Sequence, residues 1–281
     1  MNVIKIQGRL GNQLFQYAFA YSISKKSNSV FHFVEPYYVF GLNKYFKLRK
    51  FEIILQFYTS ILYKIKSKDN FVTITEYSDT YSNSIIHNTE GNVMWDGHFQ
   101  SFNYFKEIEL DIKRLFCLKR KYIKMFNEKY FDLFNSYNVT VIHIRLTDYK
   151  LSGNDFLGGQ DLTLPFSYYK YCLNELDKNN SIEKLIIISD DIEQCKKVFN
   201  DFKSIDISYE TNSEIIDFQL ILNADNLILS NSSFSWWGAF LNTKKKKVYA
   251  PKYWLGFQKK IFYPLEITEG LNWDIVDVTK L

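Results

Sequence analysis

The sequence is poor in the residues that cross-link or punctuate a chain. Its 281 residues include only 4 prolines, 11 glycines and 3 cysteines, and it contains neither an internal repeat nor a low-complexity linker. Cys117, Cys172 and Cys195 are an odd number without the spacing of a metal site, so we predict reduced, structural thiols in a cytosolic compartment. These scarcities exclude a disulfide scaffold and a repeat array.

Charge of one sign and long apolar runs are scarce as well. The net charge is only +4 at pH 7, which does not indicate a nucleic-acid-binding protein and suits an anionic small substrate or an anionic membrane surface about equally. No apolar run approaches the roughly 18 residues that a membrane-spanning helix needs. Because the chain opens directly in a predicted strand, we expect no secretory signal peptide and a cytoplasmic protein.

Aromatic residues are abundant, at 18% of the chain with 25 phenylalanines and 21 tyrosines. Sugar-handling proteins often use aromatic faces. However, AT-rich codons also favour Phe and Tyr, together with Lys, Asn and Ile, and we prefer this compositional explanation. With 46% hydrophobic and 23% charged residues, the chain is typical of a globular protein with one large domain or two ordinary ones.

The second half of the sequence alternates strand-like and helix-like runs. The predicted strands are Val139–Ile144, Leu185–Ser189, Ile205–Tyr209, Leu227–Ser230 and Val248–Ala250. The predicted helices among them are Phe166–Leu176, Ile192–Phe199, Glu214–Leu222 and one that begins near Ala239. Such alternation predicts a parallel sheet covered on both faces, with ligands bound beyond the carboxyl ends of its strands. Arg145, Asp190 and Ser232 each follow such a strand end.

The first half alternates less regularly. Its predicted strands are Val3–Ile6, Val30–Val34, Val72–Tyr77 and Val93–Trp95. Its predicted helices are Asn12–Lys26, Phe51–Ile65, Phe102–Phe116 and Tyr122–Phe134. We place the domain boundary near residues 135–138, which divides the chain into residues 1–136 and 137–281.

The most informative motif is Ser230–Ala239, a hydroxyl-rich turn with two adjacent tryptophans that follows a short apolar strand. A strand, a hydroxyl-rich turn and a helix are how many proteins present hydroxyls and backbone N–H groups to a phosphate. Ser232 and Ser233 are therefore candidate phosphate contacts. We expect Trp236 and Trp237 to form a pocket wall or core, since two exposed tryptophans would be costly.

A second motif, His143–Asp148, ends the predicted strand Val139–Ile144. Arginine stays charged at any working pH and contacts a diphosphate bidentately, so Arg145 is the main catalytic candidate; a structural salt bridge with Asp148 is the alternative. Asp148 is expected to orient this loop or Arg145, with a catalytic-base role as the weaker interpretation. His143 lies on the same face as Arg145 and either binds the ligand or supports the sheet.

A third motif, Gly8–Gln13, joins a strand to a helix. Gly8 and Gly11 allow close backbone approach. Asn12 and Gln13 are candidate ligand contacts, and a helix cap is the alternative for Asn12.

An acidic pair, Asp190 and Asp191, follows another predicted strand. Capping of the helix Ile192–Phe199 explains both carboxylates sufficiently. Binding of a base or of ribose hydroxyls is the alternative.

These motifs resemble those of the bacterial α-1,2-fucosyltransferases of glycosyltransferase family 11. The family has a Gly-x-Gly-Asn-Gln segment that opens a helix, a central His-x-Arg-Arg-x-Asp motif and a Ser-Asn-Ser-Ser/Thr-Phe-Ser-Trp-Trp-Gly-Ala motif. Here they stand, in the right order, as Gly8–Ala20, His143–Asp148 and Ser230–Ala239. Two weaker segments, Asp96–Ser101 and Ser189–Asp191, are also similar, so the resemblance spans nearly the whole chain.

One position departs from the family pattern, because the second arginine of the central motif is Leu146 here. That removes a positive charge from the presumed diphosphate site and bears on rate and donor choice. On this interpretation, Leu146→Arg should leave turnover unchanged or make it faster. Arg145 is retained, and it matches the arginine that related fucosyltransferases place on the donor phosphates.

The resemblance implies a GT-B fold, in which two Rossmann-like lobes face a cleft. Residues 1–136 would form the acceptor-side lobe and residues 137–281 the nucleotide-sugar lobe. The implied reaction is inverting transfer of L-fucose from GDP-fucose to O2 of a terminal galactose, in a bacterial surface glycan such as O antigen. A related transferase with another donor or acceptor, and a non-catalytic glycan- or nucleotide-binding protein, are the alternatives.

Metal-binding patterns are absent from the sequence. Asp-x-Asp, through which many sugar transferases hold a divalent ion, does not occur, and no His/Cys cluster has ligand spacing. Together with Arg145, this predicts a donor site without metal or other cofactor. No pattern selects a general base, for which Glu35, Asp155 and Asp161 are only available carboxylates.

Residues 44–68 carry an apolar helical face flanked by basic residues. Such a segment lies either on the cytoplasmic face of the inner membrane, as a peripheral contact, or in the core with a solvated rim. We prefer the core interpretation.

Overall fold

The computed structural model describes residues 2–27, 31–34, 42–48, 71–76, 92–178 and 182–281. The chain divides into two compact units. The first comprises Met1–Lys119 with Leu265–Glu269, and the second Arg120–Pro264 with Gly270–Leu281. Among the described helices, none is long and apolar enough to cross a membrane.

The first unit is built on a parallel sheet whose described strands run in the order β2-β1-β4-β3. Its elements are β1 (Asn2–Lys5), α1 (Leu10–Ser27), β2 (Phe31–Val34), β3 (Val72–Thr75), β4 (Val93–Asp96) and α2 (Glu109–Leu115). Helix α1 covers the sheet, and Phe19 meets Trp95 of β4 edge-on with ring centroids 5.4 Å apart. Because β1 and β4 are parallel neighbours, the turns that follow them leave the sheet at the same edge.

The second unit contains a parallel sheet in the order β10-β9-β8-β5-β6-β7. Its helices are α3 (Arg120–Ser136), α4 (Phe166–Asp177), α5 (Ile192–Phe199), α6 (Glu214–Asn223) and α7 (Ser233–Leu241). Its strands are β5 (Val139–Ile144), β6 (Lys184–Ser189), β7 (Ile207–Glu210), β8 (Asn226–Ile228), β9 (Lys247–Pro251) and β10 (Asp274–Val276). All six residues of β5 are buried, as expected for a β-branched strand that lies between β6 and β8.

Most predicted elements are confirmed within one to three residues, and β5 and α5 have the predicted bounds. The predicted helix start near Ala239 is wrong, because α7 begins at Ser233 and contains both tryptophans. The predicted helix Phe102–Phe116 is wrong in its first half, where two short 3₁₀ turns, Phe102–Tyr104 and Lys106–Ile108, precede α2. Ring contact between Phe102 and Phe105, with centroids 5.7 Å apart, fits the near-eclipsed i, i+3 spacing of a 3₁₀ turn. The predicted helix Phe51–Ile65 lies outside the described residues.

Two features near the ends of the second unit differ from the prediction. Helix α3 belongs to this unit rather than to the first, and Gln219 Nε2 of α6 donates to the carbonyl of Tyr122 in α3 at 3.0 Å. The boundary between the units therefore lies between Lys119 and Arg120, before α3, and not near residues 135–138. Strand β10 was not predicted because its residues are mostly exposed and it pairs along one side, with β9.

Helices α6 and α7 approach each other closely at Gly238. A Cβ atom there would lie 2.6 Å from Ile221 Cγ2, and both residues are buried. We expect Gly238→Ala to lower the free energy of unfolding by about 1–3 kcal/mol through overpacking. Adding Ile221→Ala should make the double variant more stable than the sum of the two single losses predicts, as measured in a thermal-unfolding cycle. Strict additivity would contradict this packing.

Candidate functional site

Three neighbouring strands of the second unit, β8, β5 and β6, end at one edge of its sheet. Parallel strands present their carboxyl ends together, so the residues that follow them meet. Arg145 follows β5, Asp190 follows β6, and Ser230–Ser233 follow β8. The predicted site residues of the second half of the chain therefore lie at this edge.

Arg145 is held by two carboxylates. Its Nη2 donates to Asp148 Oδ2 at 2.8 Å, and its Nη1 lies 3.3 Å from Asp190 Oδ2. Burial alone would lower the pKa of this guanidinium, but the bond to Asp148 and the charge of Asp190 hold that pKa above its ordinary value. The salt bridge offered as the alternative for Arg145 is present, and its effect is to place a permanent cation at the exit of β5.

Asp190 fastens the turn that follows Arg145. Its Oδ1 accepts the N–H of Leu146 at 2.8 Å, and its Oδ2 accepts the N–H of Thr147 at 3.1 Å and the Thr147 hydroxyl at 2.6 Å. Burial would raise the pKa of this carboxyl, but those hydrogen bonds and Arg145 outweigh it, so the pKa is lowered. Capping of α5 belongs to Asp191, whose Oδ1 accepts the N–H of Gln194 at 3.1 Å.

His143 is buried and neutral. Its Nδ1 lies 2.7 Å from the Ser230 hydroxyl, which joins β5 to the serine turn. Burial, reinforced by the positive charge of Arg145, lowers the pKa of the imidazole to about 3. A cationic contact with a phosphate therefore does not fit His143, whereas neutral hydrogen bonding and support of the sheet both do.

The serine turn places Ser232 at the N-cap position of α7 and Ser233 at the first helical position. The Ser232 side chain makes no capping hydrogen bond; its carbonyl accepts the N–H of Trp236 at 3.0 Å and the hydroxyl of Ser235 at 3.0 Å. The first N–H groups of a helix have no partner within the helix, so this end of α7 suits an anion.

The paired tryptophans are core residues, as predicted. Trp236 and Trp237 are both fully buried. Trp236 stacks on Phe240 with ring centroids 4.9 Å apart and meets Trp273 edge-on at 5.8 Å. They support the serine turn from behind.

Asn231 and Tyr149 form a clamp that sequence reasoning missed. Asn231 is 1% exposed; its Nδ2 donates to the carbonyl of Leu162 at 2.9 Å, and its carbonyl accepts the Tyr149 hydroxyl at 3.2 Å. The N–H of Leu162 also donates to the carbonyl of Tyr149 at 2.8 Å. Both ends of segment 149–162 are thus attached to the serine turn. The position of Asn231 within the motif was the available signal.

A carboxyl beside β7 was also missed. Asp217 lies in the first turn of α6, the helix that follows β7, and its Oδ1 accepts from Asn212 Nδ2 at 3.1 Å. Burial raises the pKa of Asp217 to about 6, and the nearby Glu210 acts in the same direction. A carboxyl with that pKa changes from hydrogen-bond donor to acceptor as the pH rises through about 6.

Leu146 does not lie beside the cation. Its side chain is 2% exposed and belongs to the core cluster that includes Ile144, Leu164 and Tyr169, while its backbone N–H serves Asp190. Leu146 was expected to replace a second positive charge beside the diphosphate. Its side chain instead fills a position in the core.

The first unit brings together its own predicted residues. Asn12 Oδ1 accepts from Gln100 Nε2 at 2.8 Å, and Gln13 Nε2 donates to the carbonyl of Gly8 at 3.0 Å. Gly8 has φ +77°, and a Cβ there would come within 2.3 Å of Asn12 Nδ2, so glycine is required. Because Asn12 lies inside α1, which begins at Leu10, the helix-cap alternative does not hold.

Of the three carboxylates named as available general bases, Asp155 and Asp161 lie among the described residues. Asp161 Oδ1 accepts the N–H and hydroxyl of Thr163 at 2.9 and 2.7 Å, Asp155 is exposed, and Glu35 lies outside the described residues, as does most of segment 44–68. Within the described ranges, no group of three or more His, Cys, Asp or Glu side chains is arranged to hold a metal ion.

Comparison with known proteins decides the family. The family model described as Glycosyl transferase family 11 matches residues 1–260. The chain belongs to glycosyl transferase family 11. An alpha-1,2-colitosyltransferase of Escherichia coli is 30% identical over 255 residues, covering 85% of this chain and 87% of the relative. The O-antigen biosynthesis glycosyltransferase WbnK of Escherichia coli is 23% identical over 292 residues, covering 91% and 95%.

The fold comparison agrees with this assignment. The crystal structure of NodZ alpha-1,6-fucosyltransferase soaked with GDP-fucose is similar with a TM-score of 0.52, at 13% identity, over 85% of this chain and 92% of that chain. The predicted fold class, α/β of the GT-B type with parallel sheets, is confirmed.

Because Leu146 is buried, we no longer expect Leu146→Arg to leave turnover unchanged or to make this glycosyltransferase faster. We expect Leu146→Arg to lose several kcal/mol of stability, because it places an unpaired charge in the core. Leu146→Met, which conserves volume, should cost less than about 1.5 kcal/mol. Thermal unfolding of both variants checks this. An arginine variant as stable as the unsubstituted protein, with equal or faster turnover, would restore the original expectation.

Proposed function

We propose that this glycosyltransferase moves L-fucose from GDP-fucose to O2 of a terminal galactose on a glycan, with inversion at the anomeric carbon. Family membership supports transfer of a sugar. The α-1,2 linkage is supported by the name of the colitosyltransferase relative, and GDP-fucose by the ligand named for the NodZ structure. The galactose acceptor follows from the resemblance of the motifs.

The observation that carries this proposal is the fixed cation at the sheet edge. As the bond between the anomeric carbon and the β-phosphate oxygen breaks, negative charge develops on the departing GDP. Arg145 is already charged and held at 2.8 Å by Asp148, so it stabilises that charge without reorganising. Ser232, Ser233 and the first N–H groups of α7 supply hydrogen bonds to the same diphosphate.

Asp148 acts in this scheme by orienting Arg145. Its Oδ2 is committed to the guanidinium, so we assign it a positioning role rather than that of general base. In the displacement, the galactose O2 attacks the anomeric carbon while GDP leaves from the opposite face, and the hydroxyl proton passes to a base. His143, Asp190 and Asp191 are proposed to lie on the nucleoside side of the diphosphate.

A colitosyl donor is the second candidate. Colitose is L-fucose without its 3-hydroxyl group, and the 30% identical relative is named for its transfer. Both sugars would leave GDP in the same way, so the Arg145 site serves either donor. The two candidates differ in whether the protein has a partner for the 3-hydroxyl.

We further propose that the protein works in the cytoplasm and modifies a surface glycan, with a galactose-terminated acceptor at the cytoplasmic face of the inner membrane. The relative named for O-antigen biosynthesis supports that context. We propose no metal cofactor, because Arg145 supplies the positive charge on the diphosphate that a divalent ion supplies elsewhere.

The role of Arg145 is tested by GDP release from GDP-fucose in EDTA, with lactose as acceptor. We expect Arg145→Ala to lower kcat about 100-fold or more, the order found when one transition-state donor is removed. Arg145→Lys keeps the charge but cannot contact two carboxylates through a planar fork. Its kcat should therefore lie between that of the unsubstituted protein and that of Arg145→Ala. Thermal unfolding of each variant separates loss of catalysis from loss of folding.

Other outcomes of that assay point elsewhere. Activity that vanishes in EDTA and returns with Mg²⁺ or Mn²⁺ would refute metal independence. Binding of GDP without acceptor-dependent release would indicate a binding protein of the same fold.

Donor identity is tested by comparing kcat/KM for GDP-fucose and GDP-colitose with the same acceptor. We expect at least a tenfold preference for GDP-fucose, because a site that hydrogen-bonds a hydroxyl discriminates against a donor without it. A preference for GDP-colitose would transfer the proposal to the second candidate.

A further inference from the structure

A carboxyl outside every motif holds the turn that follows β4 in the first unit. Glu76 directly follows β3, which pairs with β4 through Thr75 and Asp96, and the N–H of Glu76 donates to the carbonyl of Asp96 at 2.9 Å. Its Oε2 accepts the N–H of Phe99, and its Oε1 accepts the Tyr104 hydroxyl at 2.9 Å. Both carboxylate oxygens therefore bind segment 97–104.

The turn needs such a partner because its backbone is strained. Phe99 has φ +53°, a left-handed conformation that costs a non-glycine residue about 1–3 kcal/mol. Its ring stacks on Phe19 with centroids 3.8 Å apart, and its N–H is the one that Glu76 binds. Gly97 is confined by the same side chain, since a Cβ there would lie 2.5 Å from Glu76 Cβ.

The turn connects Glu76 to Asn12. Gln100 follows Phe99 and donates from Nε2 to Asn12 Oδ1 at 2.8 Å. A second bond, from Gln16 Nε2 to the carbonyl of Gly97 at 2.9 Å, ties the turn to α1. Because its Oδ1 is bound by Gln100, the amide of Asn12 is oriented with its NH₂ group directed away from Gln100, as a donor.

We propose that Glu76 is a positioning residue of the transfer reaction, whose carboxylate holds residues 97–100 so that Gln100 fixes the amide of Asn12 for the substrate. This rests on the proposed function in one respect, because it takes Asn12, a candidate ligand contact from the sequence analysis, to contact the substrate of the proposed transfer. Neither the motifs nor the resemblance assigns a role to Glu76.

Protonation of Glu76 should weaken this arrangement, because a carboxylic acid has an O–H where the carboxylate had an acceptor. Burial raises the pKa of Glu76 above its ordinary value, and the bonds from Phe99 and Tyr104 offset this only in part. Activity that depends on the carboxylate is thus complete above that raised pKa and falls as the pH drops through it.

The effect of Glu76 on stability has the opposite sign. A carboxyl with a raised pKa binds its proton more readily in the folded state, so its contribution to stability is present below the unfolded pKa and is lost as the pH rises through the folded one. Loss of activity in acid without a matching loss of Tm is therefore the signature of Glu76. Among the described residues, the other charged or titratable groups near it are His98, Asp96 with its ion-pair partner Lys5 at 3.3 Å, and Tyr104.

The test compares Glu76→Gln, Glu76→Ala and, as the control for the nearest histidine, His98→Gln. The amide of Glu76→Gln is the neutral counterpart of the protonated acid, with an acceptor for Phe99 and a donor where the carboxylate accepted from Tyr104. We expect it to lower kcat/KM at pH 7.5 to the value that the unsubstituted protein reaches below the pKa of Glu76, and to lose the acid limb of the pH profile. His98→Gln should retain that limb. Retention of the limb in Glu76→Gln, or its loss in His98→Gln, would overturn the proposal.

A second arm asks whether Glu76 acts through Asn12. Glu76→Ala should lower kcat/KM about tenfold, and combining it with Asn12→Ala should add little to the loss from Asn12→Ala alone. Additive losses would mean that Glu76 has a general structural role and would overturn the proposal. If Glu76→Ala does not fold, the pH profile of Glu76→Gln still decides.

A third readout does not depend on turnover. The side-chain amide NMR signals of Asn12 and Gln100 should shift as the pH falls in the unsubstituted protein and remain unshifted in Glu76→Gln. Absence of this difference would overturn the inference whatever the activity. The difference could also be present in a protein that transfers neither fucose nor colitose. That result would show that Glu76 is linked to Asn12 and would reject a role of Glu76 in the reaction, so failure of the proposed function is recognised separately.

Discussion

The ion pairs that Arg145 makes with Asp148 and Asp190 are the contacts on which the edge of the second sheet depends. A half-buried guanidinium must be paired, because an unpaired charge away from water is expensive. Asp190 pairs with it and also accepts the N–H groups of Leu146 and Thr147, so the same carboxylate sets the cation and the turn. Without Asp190, which follows β6, the residues that follow β5 would lose the side chain that binds them.

Neutral groups complete the same edge. His143 carries no charge at physiological pH, and its Nδ1 is hydrogen-bonded to Ser230. It therefore adds no cation to Arg145, which is itself paired with Asp148 and Asp190. An anion that approaches meets the guanidinium of Arg145, already paired with Asp148 and Asp190, together with the first N–H groups of α7. In the proposed transfer, a leaving group whose charge grows would gain from donors that are already in place.

Periodicity and strand chemistry were enough to predict most of the fold. The β-branched run of β5 and the apolar spacing of α5 yield the observed bounds because local preference and burial agree there. They disagree at residues 102–108, where buried phenylalanines three apart suit a 3₁₀ turn. They are also uninformative at β10, a strand of three residues that is mostly exposed and pairs with β9.

The site was predictable where a residue follows a strand, and not where its role depends on side-chain direction. Arg145, Asp190 and Ser232 follow from topology alone. Leu146, one residue further on, points into the core, and no spacing rule distinguishes that from a position beside the ligand. Glu76 and Asn231 were missed for a related reason, since each acts on a segment distant in sequence that only the folded chain brings near.

The clamp at Asn231 has a consequence for how this protein can change over evolutionary time. Segment 149–162 is closed at its base by Tyr149 and Leu162, and both ends are attached to the serine turn. Between those ends, Ser152 contacts the loop that bears the cation, since its hydroxyl donates to the carbonyl of Asp148 at 2.6 Å. Lengthening such a closed loop adds only about 0.6 kcal/mol for each doubling. Insertions in the loop can reshape the surrounding surface while the contacts of Tyr149 and Leu162 with Asn231 stay in place.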